Sequence, residues 1–175
     1  MPTGTSTSQS KQERGGKMRS PSKNQAKQDA ITLLVSDHDE VEELFTQFQK
    51  AKKNGGDRAD IVEQICKALT VHAEIEEEIF YPAARDALAE EDGEDLLDEA
   101  EVEHASIKSL VEQLQDSDPD DDLYDAKVKV LCEYVTHHVK EEEGEMFPKI
   151  KKTDLDLEEL GTELMERKQE LMEEE

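Results

Sequence analysis

Residues 72–82 read HAEIEEEIFYP and residues 138–148 read HVKEEEGEMFP, so one pattern occurs twice with an offset of 66 residues. In each copy a histidine precedes a glutamate by four residues, as His72 precedes Glu76. Residues four apart lie on one face of a helix, and the proline that closes each copy disturbs a continuing helix. The two stretches therefore predict two equivalent helices, each with an imidazole and a carboxylate on the same face.

The 66-residue offset also relates positions outside these two stretches. It pairs two further histidines and a series of acidic, apolar and cysteine positions: His38 with His104, Asp37 with Glu103, Val41 with Ile107, Leu44 with Leu110, Phe45 with Val111, Phe48 with Leu114, Ile65 with Leu131 and Cys66 with Cys132. The chain is therefore predicted to contain two similar helical hairpins in tandem. If the hairpins pack about a two-fold axis, the four repeated histidines meet at one level of the core.

Apolar residues recur with a helical period throughout this region, and turn signals separate the helices. The first helix is expected to end at Asn54-Gly55-Gly56. The second is expected to begin after Asp57, a good N-cap residue, and to run toward Pro82. Nothing in the pattern indicates a strand.

The later boundaries complete an all-α, antiparallel up-down four-helix bundle with a short fifth C-terminal helix. The segment beyond Pro82 is expected to continue as a kinked turn as far as Leu88, and the third helix follows the acidic loop around Gly93. The fourth is expected to take Asp118 as its N-cap and Pro119 as its first residue. The fifth helix, expected to pack across one end or to fray, rests on Leu157, Leu160, Leu164 and Leu171.

The composition limits the classes of protein to which the chain can belong. Of its 175 residues 38% are charged and 34% hydrophobic, and the formal net charge is −25, which repels nucleic acid and anionic membranes. We therefore expect neither as a partner. No apolar run is long enough for a transmembrane helix, and no secretory signal is apparent. Because Cys66 and Cys132 form no disulfide framework, the cytoplasm is the expected compartment.

Three segments differ in composition. Residues 1–28 hold six basic residues against one acidic residue and few apolar side chains, which predicts a disordered basic tail. Residues 29–152 hold the repeated hairpins and form the predicted bundle. Residues 153–175 are predicted to form the C-terminal helix and an acidic tail.

The repeated polar residues are costly in a plain helical core and point to a metal centre. Burying a carboxylate among apolar side chains costs several kcal/mol unless a cation or hydrogen bonds offset the loss of water. Imidazole and carboxylate ligands without thiolate suit iron, manganese or zinc. The predicted ligands are His38, His72, Glu76, His104, His138 and Glu142.

Two histidines from each hairpin and two carboxylates suit a dinuclear site. Glu76 and Glu142 would bridge the two ions, and coordination positions would remain for water or a small exogenous ligand. That open coordination is the physical basis for chemistry with dioxygen or related molecules.

These motifs resemble those of the hemerythrin-like (HHE cation-binding) domain family. The motifs that carry the resemblance are Asp37-His38, HAEIEE at 72–77 with FYP at 80–82, Glu103-His104, and HVKEEE at 138–143 with MFP at 146–148. The resemblance covers residues 29–150 and implies a four-helix bundle that holds a non-haem di-iron centre. It also implies that the four repeated histidines are ligands and that the two glutamates bridge the ions.

One departure from the family pattern concerns the third helix. Oxygen-carrying hemerythrins place two histidines there, four residues apart, whereas Ala100 and Lys108 occupy those spacings around His104. Reversible oxygen carriage is therefore not expected. Iron-responsive and bacterial members of the family often have this smaller histidine set.

Several neighbours of the predicted ligands leave alternatives open. His137 adjoins His138, but its spacing of five from Glu142 requires a local helix bulge, and the 66-residue repeat favours His138. Glu77, Glu143 and Glu101 are candidates to complete a coordination sphere, but solvated surface charge is the preferred interpretation. Core packing is the preferred interpretation of four others: Tyr81, Tyr134, Cys66 and Cys132.

Three functional hypotheses follow from the sequence. The favoured one is a non-enzymatic di-iron protein that senses, stores or detoxifies oxygen, peroxide, nitric oxide or iron, with a diatomic ligand or peroxide at the metals. The second is a di-iron enzyme that acts on peroxide or oxygen. The third is a metal-free helical scaffold whose acidic surface binds a basic partner. No specific protein partner is indicated.

Overall fold

The computed structural model describes residues 28–89 and 93–174, and every regular element in these ranges is helical. Two short π-turns, π1 and π2, interrupt the α-helices. The elements are α1 (Ala30–Asn54), α2 (Ala59–Ile75), π1 (Glu76–Phe80), α3 (Tyr81–Ala87), α4 (Glu94–Gln115), α5 (Tyr124–Glu141), π2 (Glu142–Met146), α6 (Phe147–Ile150) and α7 (Leu157–Glu174). The four long helices α1, α2, α4 and α5 form the predicted bundle. Within residues 28–89 and 93–174, none of the helices combines the length and the hydropathy of a membrane span.

The first hairpin begins and turns at the residues that the sequence indicates. Asp29 caps α1 by accepting a hydrogen bond from the Thr32 amide at 2.9 Å. Gly55, with φ of 66°, ends the helix in the left-handed conformation, and its N–H bonds to the Ala51 carbonyl. Asp57 accepts a hydrogen bond from the Ala59 amide at 2.9 Å, but the N-cap of α2 is Arg58, so the expectation that Asp57 is the N-cap was wrong by one residue.

The fourth long helix begins later than expected. The prediction that Asp118 and Pro119 start it was wrong, because α5 begins at Tyr124. Asp118 instead forms a turn: its side chain accepts a hydrogen bond from the Asp120 amide, and its carbonyl accepts one from the Asp121 amide. Short acidic side chains that bond to nearby backbone amides stabilise turns at the expense of a helix.

The two π-turns are equivalent under the 66-residue offset and were not predicted. In π1 the Tyr81 amide bonds to the Glu76 carbonyl five residues back, and in π2 the Phe147 amide bonds to the Glu142 carbonyl. A proline follows each π-turn at the start of the next helix, where its missing N–H is tolerated. The extra residue in each turn places residues five apart on one face, so Glu76 and Tyr81 both point inward.

The core consists of two apolar clusters separated by a polar level. One cluster contains Leu33, Leu34, Ile75, Phe80, Leu97, Phe147, Ile150 and Leu164, and the other contains Phe48, Ile65, Leu69, Val111, Val128 and Leu131. Helices α1, α2 and α4 pass from one cluster to the other at their repeated histidines, and α5 reaches its histidine at the edge of the second cluster before π2 and α6 enter the first. The apolar packing therefore fixes the height of the four histidines in the bundle.

The C-terminal leucine pattern forms α7, which packs along α1, α2 and π1 rather than across one end. Leu160, Leu164 and Leu171 are its buried leucines. Charged residues also join this helix to the bundle: Arg167 pairs with Glu78. The expected basic tail, residues 1–28, lies almost wholly outside the described residues.

Gly161 is predicted to be essential for the docking of α7. A Cβ at this position would clash with the Gln28 carbonyl oxygen and would lie 2.7 Å from the Ala30 amide nitrogen. Because these are backbone atoms at the start of α1, Gly161→Ala should destabilise the fold by about 1–3 kcal/mol. Urea unfolding measures the change.

Gly144→Ala is the matched control for this substitution. Gly144 lies in π2, and a Cβ there would meet nothing within 4 Å. Removing a glycine from a helical segment without a clash should leave stability unchanged or raise it by about 0.5–1 kcal/mol. Equal losses in the two variants would contradict the close approach of α7 to α1.

Candidate metal centre

The structure brings all six predicted ligand residues together at the polar level of the core. Each of them is at most 7% exposed. The imidazoles meet in pairs within each hairpin: the Nε2 atoms of His38 and His72 are 3.2 Å apart, and those of His104 and His138 are 3.1 Å apart. The 66-residue repeat therefore chose correctly between two adjacent histidines: His138 is buried, whereas the side chain of His137 is 63% exposed.

Each of these four imidazoles bonds through Nδ1 to a carboxylate. The pairs are His38 with Glu143 at 2.8 Å, His104 with Glu77 at 3.0 Å, His72 with Asp37 at 3.4 Å and His138 with Glu103 at 2.7 Å. An ionised carboxylate only accepts hydrogen bonds, so Nδ1 carries the proton. In the neutral imidazole the Nε2 lone pair then faces the interior, as in a histidine prepared to bind a metal.

These carboxylates correct one interpretation of the sequence. Glu77 and Glu143 were interpreted as solvated surface charge, but each holds a histidine by a hydrogen bond. The signal that identifies them is the 66-residue offset, which relates Glu77 to Glu143 and Asp37 to Glu103. Glu101 does lie at the surface, where it pairs with Arg85 at 2.9 Å.

The two inner carboxylates each lie between histidines of different hairpins. Glu76 Oε2 is 3.2 Å from His72 Nε2 and 3.3 Å from His104 Nε2. Glu142 Oε2 is 3.2 Å from His38 Nε2 and 3.5 Å from His138 Nε2. Among the described residues, three buried carboxylate oxygens accept no hydrogen bond, and two of them, Glu76 Oε1 and Glu142 Oε2, lie here, whereas Asp125 Oδ1 lies elsewhere. Such orphaned oxygens indicate a site for a cation.

The donor atoms fall into two groups that share one residue. The first group is His38, His72, Glu76 and Glu142, and the second is Glu76, His104 and His138. Metal–ligand bonds of about 2.0–2.2 Å place neighbouring donors roughly 3.0–3.4 Å apart, which agrees with the separations above. The residues therefore fit a pair of metal ions. Bridging was expected of both glutamates: Glu76 belongs to both groups, and Glu142, which belongs to the first, also lies 3.5 Å from His138 of the second.

Tyr81 also contacts this centre, whereas it was interpreted from the sequence only as a residue of the apolar core. Its ring is buried, and its hydroxyl donates to Glu142 Oε1 at 2.9 Å and lies 3.0 Å from His104 Nε2. The equivalent position in the second hairpin is Phe147, whose ring stacks on His38. The sequence feature that could have identified Tyr81 is the difference between the two repeated motifs, which read FYP at 80–82 and MFP at 146–148.

The remaining candidates lie away from the centre. Cys66 is buried in the apolar core, and Cys132 is half-buried against it; both are free thiols. Burial raises the pKa of the Cys66 thiol to about 11. Tyr134 was expected to pack in the core, but 46% of it is exposed, so that expectation was wrong.

In the metal-free chain, protons on histidine balance the charge of the buried carboxylates. Burial by itself lowers the pKa of His72, but the charge of Glu76 and hydrogen bonds to Asp37 and Glu76 outweigh it and raise the pKa to about 10. Burial tends to raise the pKa of Glu76, but the adjacent histidines hold it well below its usual range. The chain therefore stores a buried ion pair where a metal ion would bind.

This ion pair predicts a pH dependence of stability for the metal-free protein. A histidine whose pKa rises on folding stabilises the fold fully below its unfolded value, about 6.5, and the contribution is lost as the pH rises through about 10. The free energy of unfolding in urea should therefore fall over that interval. In His72→Leu this part of the decline should be absent. An identical decline in both proteins would contradict the ion pair.

A small cavity lies against the imidazoles on their apolar side. Its volume is about 20 Å³; the four histidines and Asp37 line one part of it, and the apolar residues Val41, Leu69, Ala73, Ile107, Val135 and Val139 line the rest. A cavity needs roughly 10–15 Å³ to hold one water molecule. The space therefore suits a ligand of two or three atoms, and its apolar wall favours an uncharged one.

Comparison with known proteins identifies the family. Residues 29–150 match the family model described as the Hemerythrin HHE cation binding domain. The chain belongs to this family. Membership in the HHE cation-binding family, together with the two donor groups, supports metal binding.

Two further similarities are informative. The chain superposes with a TM-score of 0.67 on the crystal structure of a hemerythrin HHE cation binding domain-containing protein from Mycobacterium kansasii, at 25% identity, covering 82% of this chain and 86% of that one. It is also 36% identical over 127 residues to a protein from Nostoc sp. named DNA nickase. That match covers 71% of this chain but 33% of the relative, so the chain spans about a third of the relative's length.

Proposed function

We propose that this protein holds a non-haem di-iron centre. His38, His72, Glu76 and Glu142 would hold one ion, and Glu76, His104 and His138 would hold the other. The observation that carries the proposal is the direction of the four imidazoles: carboxylates hold every Nδ1, so the four Nε2 atoms converge on one another and on buried glutamates. Manganese and zinc suit the same donors, and metal analysis distinguishes them.

Bound iron would supply redox chemistry and open coordination positions for a small ligand. The chain contributes the surroundings of that ligand. Tyr81 keeps its hydroxyl proton, because burial and the charges of Glu76 and Glu142 raise the phenol pKa well above its usual value. The apolar wall beside the histidines limits water. Asp37, Glu77, Glu103 and Glu143 hold the imidazole rings in place.

The ligand that we propose is dioxygen, nitric oxide or hydrogen peroxide. A cavity of about 20 Å³ admits molecules of this size and is itself too small for an organic substrate. Sensing, storage or detoxification of oxygen, peroxide, nitric oxide or iron is the corresponding role, and we place the protein in the cytoplasm because its two thiols are free. An enzyme that turns over peroxide or oxygen is the alternative, and it predicts many turnovers per metal centre.

Changing the size of the cavity tests the proposed ligand class. Val135→Ile adds a methylene to the wall, so nitric oxide should bind the reduced, iron-loaded protein more weakly than it binds the wild type. Val135→Ala should have the opposite effect. Absorption titration measures both affinities, and iron content in each variant is the control. Equal nitric oxide affinities in all three proteins would contradict binding at this cavity.

The name of the Nostoc relative makes DNA a second candidate to test. We propose that the HHE domain does not act on DNA, because the net charge of −25 repels phosphates. Incubation of the iron-loaded chain with supercoiled plasmid should leave the plasmid supercoiled. Metal-dependent relaxation would contradict this proposal.

A further inference from the structure

The equivalent carboxylates Asp37 and Glu103 have different partners in the two hairpins. In the first hairpin, one oxygen of Asp37 bonds to His72 and the other bonds to the Lys168 ammonium of α7. In the second, Glu103 Oε2 bonds to His138 at 2.7 Å, and Oε1 lies 3.2 Å from the Nε2 atom of His137. A cation therefore already occupies the outer side of Asp37, and it comes from the chain itself.

At the outer side of Glu103 the second hairpin presents metal-binding donors instead. His137 Nε2 is 3.2 Å from Glu103 Oε1 and 3.2 Å from Glu141 Oε1. His137 and Glu141 lie four residues apart on α5, so both project from one face toward Glu103 on α4. The first hairpin has the buried apolar residues Val71 and Ile75 at the two related positions. The pair of donors is thus a departure from the repeat and not a consequence of it.

We propose that Glu103, His137 and Glu141 form a surface site for a divalent first-row transition-metal cation such as Zn²⁺ or Fe²⁺. The three donor atoms lie within 4.8 Å of one another, and the two measured separations match the roughly 3.3 Å expected between ligands of a tetrahedral ion. One imidazole and two carboxylates suit these ions better than calcium or magnesium. The ion takes the place that Lys168 occupies beside Asp37.

The exposure of the donors determines the character of the site. The side chain of His137 is 63% exposed and those of Glu103 and Glu141 are 21% and 31% exposed, so water would complete the coordination sphere. Glu103 joins the surface site to the interior, because its second oxygen bonds to His138. A cation on Glu103 therefore acts on the Nδ1 hydrogen bond of an inner histidine. The surface site does not depend on iron in the interior.

Zn²⁺ titration of the full chain, followed by nitrogen-15 NMR of the histidine rings, tests this site. We expect the Nε2 resonance of His137, identified by its absence in His137→Ala, to shift on addition of Zn²⁺. Glu141→Gln should weaken this binding at least about tenfold, as expected for loss of a ligand. Glu133→Gln is the matched control, because Glu133 is an exposed carboxylate on the same helix that pairs with Lys129. It should leave the affinity unchanged.

The readout separates this site from the interior centre. The surface site is supported if the His137 resonance shifts and if Glu133→Gln binds Zn²⁺ as tightly as the wild type does. This holds whether or not the interior contains iron. The absence of a shift at His137 would overturn it, and so would Zn²⁺ binding that is equally weakened by Glu141→Gln and Glu133→Gln. Neither of these results bears on iron in the interior, which is measured by the metal content of the buried ligand variants.

Discussion

The double variant His72→Leu/His138→Leu should bind no iron. It removes one imidazole from each donor group and puts an apolar side chain in its place, so neither buried ion can replace the lost ligand with water. At free metal concentrations one hundred times the dissociation constant, binding stabilises the wild type by about 2.7 kcal/mol. For a chain of this length that corresponds to a rise in melting temperature of about 5–11 °C. The variant should show no such rise.

The comparison uses the difference between metal-loaded and chelator-treated samples of each protein. Effects of leucine on the metal-free fold then cancel, and circular dichroism establishes that both proteins are helical. A metal-free scaffold predicts that neither protein gains stability from metal. Retention of iron by the double variant would contradict the assignment of these histidines as ligands.

Glu76→Gln should reduce metal binding more than Glu142→Gln does. Glu76 belongs to both donor groups, whereas Glu142 belongs to the first only. Glutamine preserves the shape of the side chain but removes its charge, so Glu76→Gln should lose both ions. Glu142→Gln should keep about one ion, held by Glu76, His104 and His138. Elemental analysis distinguishes the two outcomes.

Tyr81→Phe is the control for these variants. It removes the hydrogen bond to Glu142 but no charge, and Phe147 already occupies the equivalent position in the second hairpin. Two ions per chain should therefore remain bound. Equal losses in Glu76→Gln and Glu142→Gln would show that both carboxylates bridge the ions equivalently, which would contradict the assignment of Glu142 to one group only.

The 66-residue repeat was sufficient to predict the bundle and the convergence of its histidines. Helical periodicity placed His38, His72, His104 and His138 on core faces, and the two-fold relation set them at one height. The resemblance to the HHE family that the motifs indicated is confirmed by the family model, which matches residues 29–150. The end of α1 at Gly55 was equally predictable, since few residues other than glycine adopt its φ of 66°.

Other features depend on contacts that a linear pattern does not reveal. The π-turns arise from hydrogen bonds of five-residue spacing before Pro82 and Pro148, and these turns direct Tyr81 into the centre. The start of α5 depends on competition between Asp118 and the backbone of a helix.

Partners from distant parts of the chain were equally hidden. Glu143 lies 105 residues from His38, and Lys168 lies 131 residues from Asp37, so neither hydrogen bond is visible in local spacing. The repeat did relate the carboxylates to one another. It could not show that they bond to the histidines.

The metal content of the purified protein tests the central claim most directly. The chain should be expressed in cells grown with iron, purified without chelator and measured by elemental analysis. About two iron atoms per chain are expected from the two donor groups that share Glu76. Absence of bound metal under every loading condition would contradict the di-iron centre.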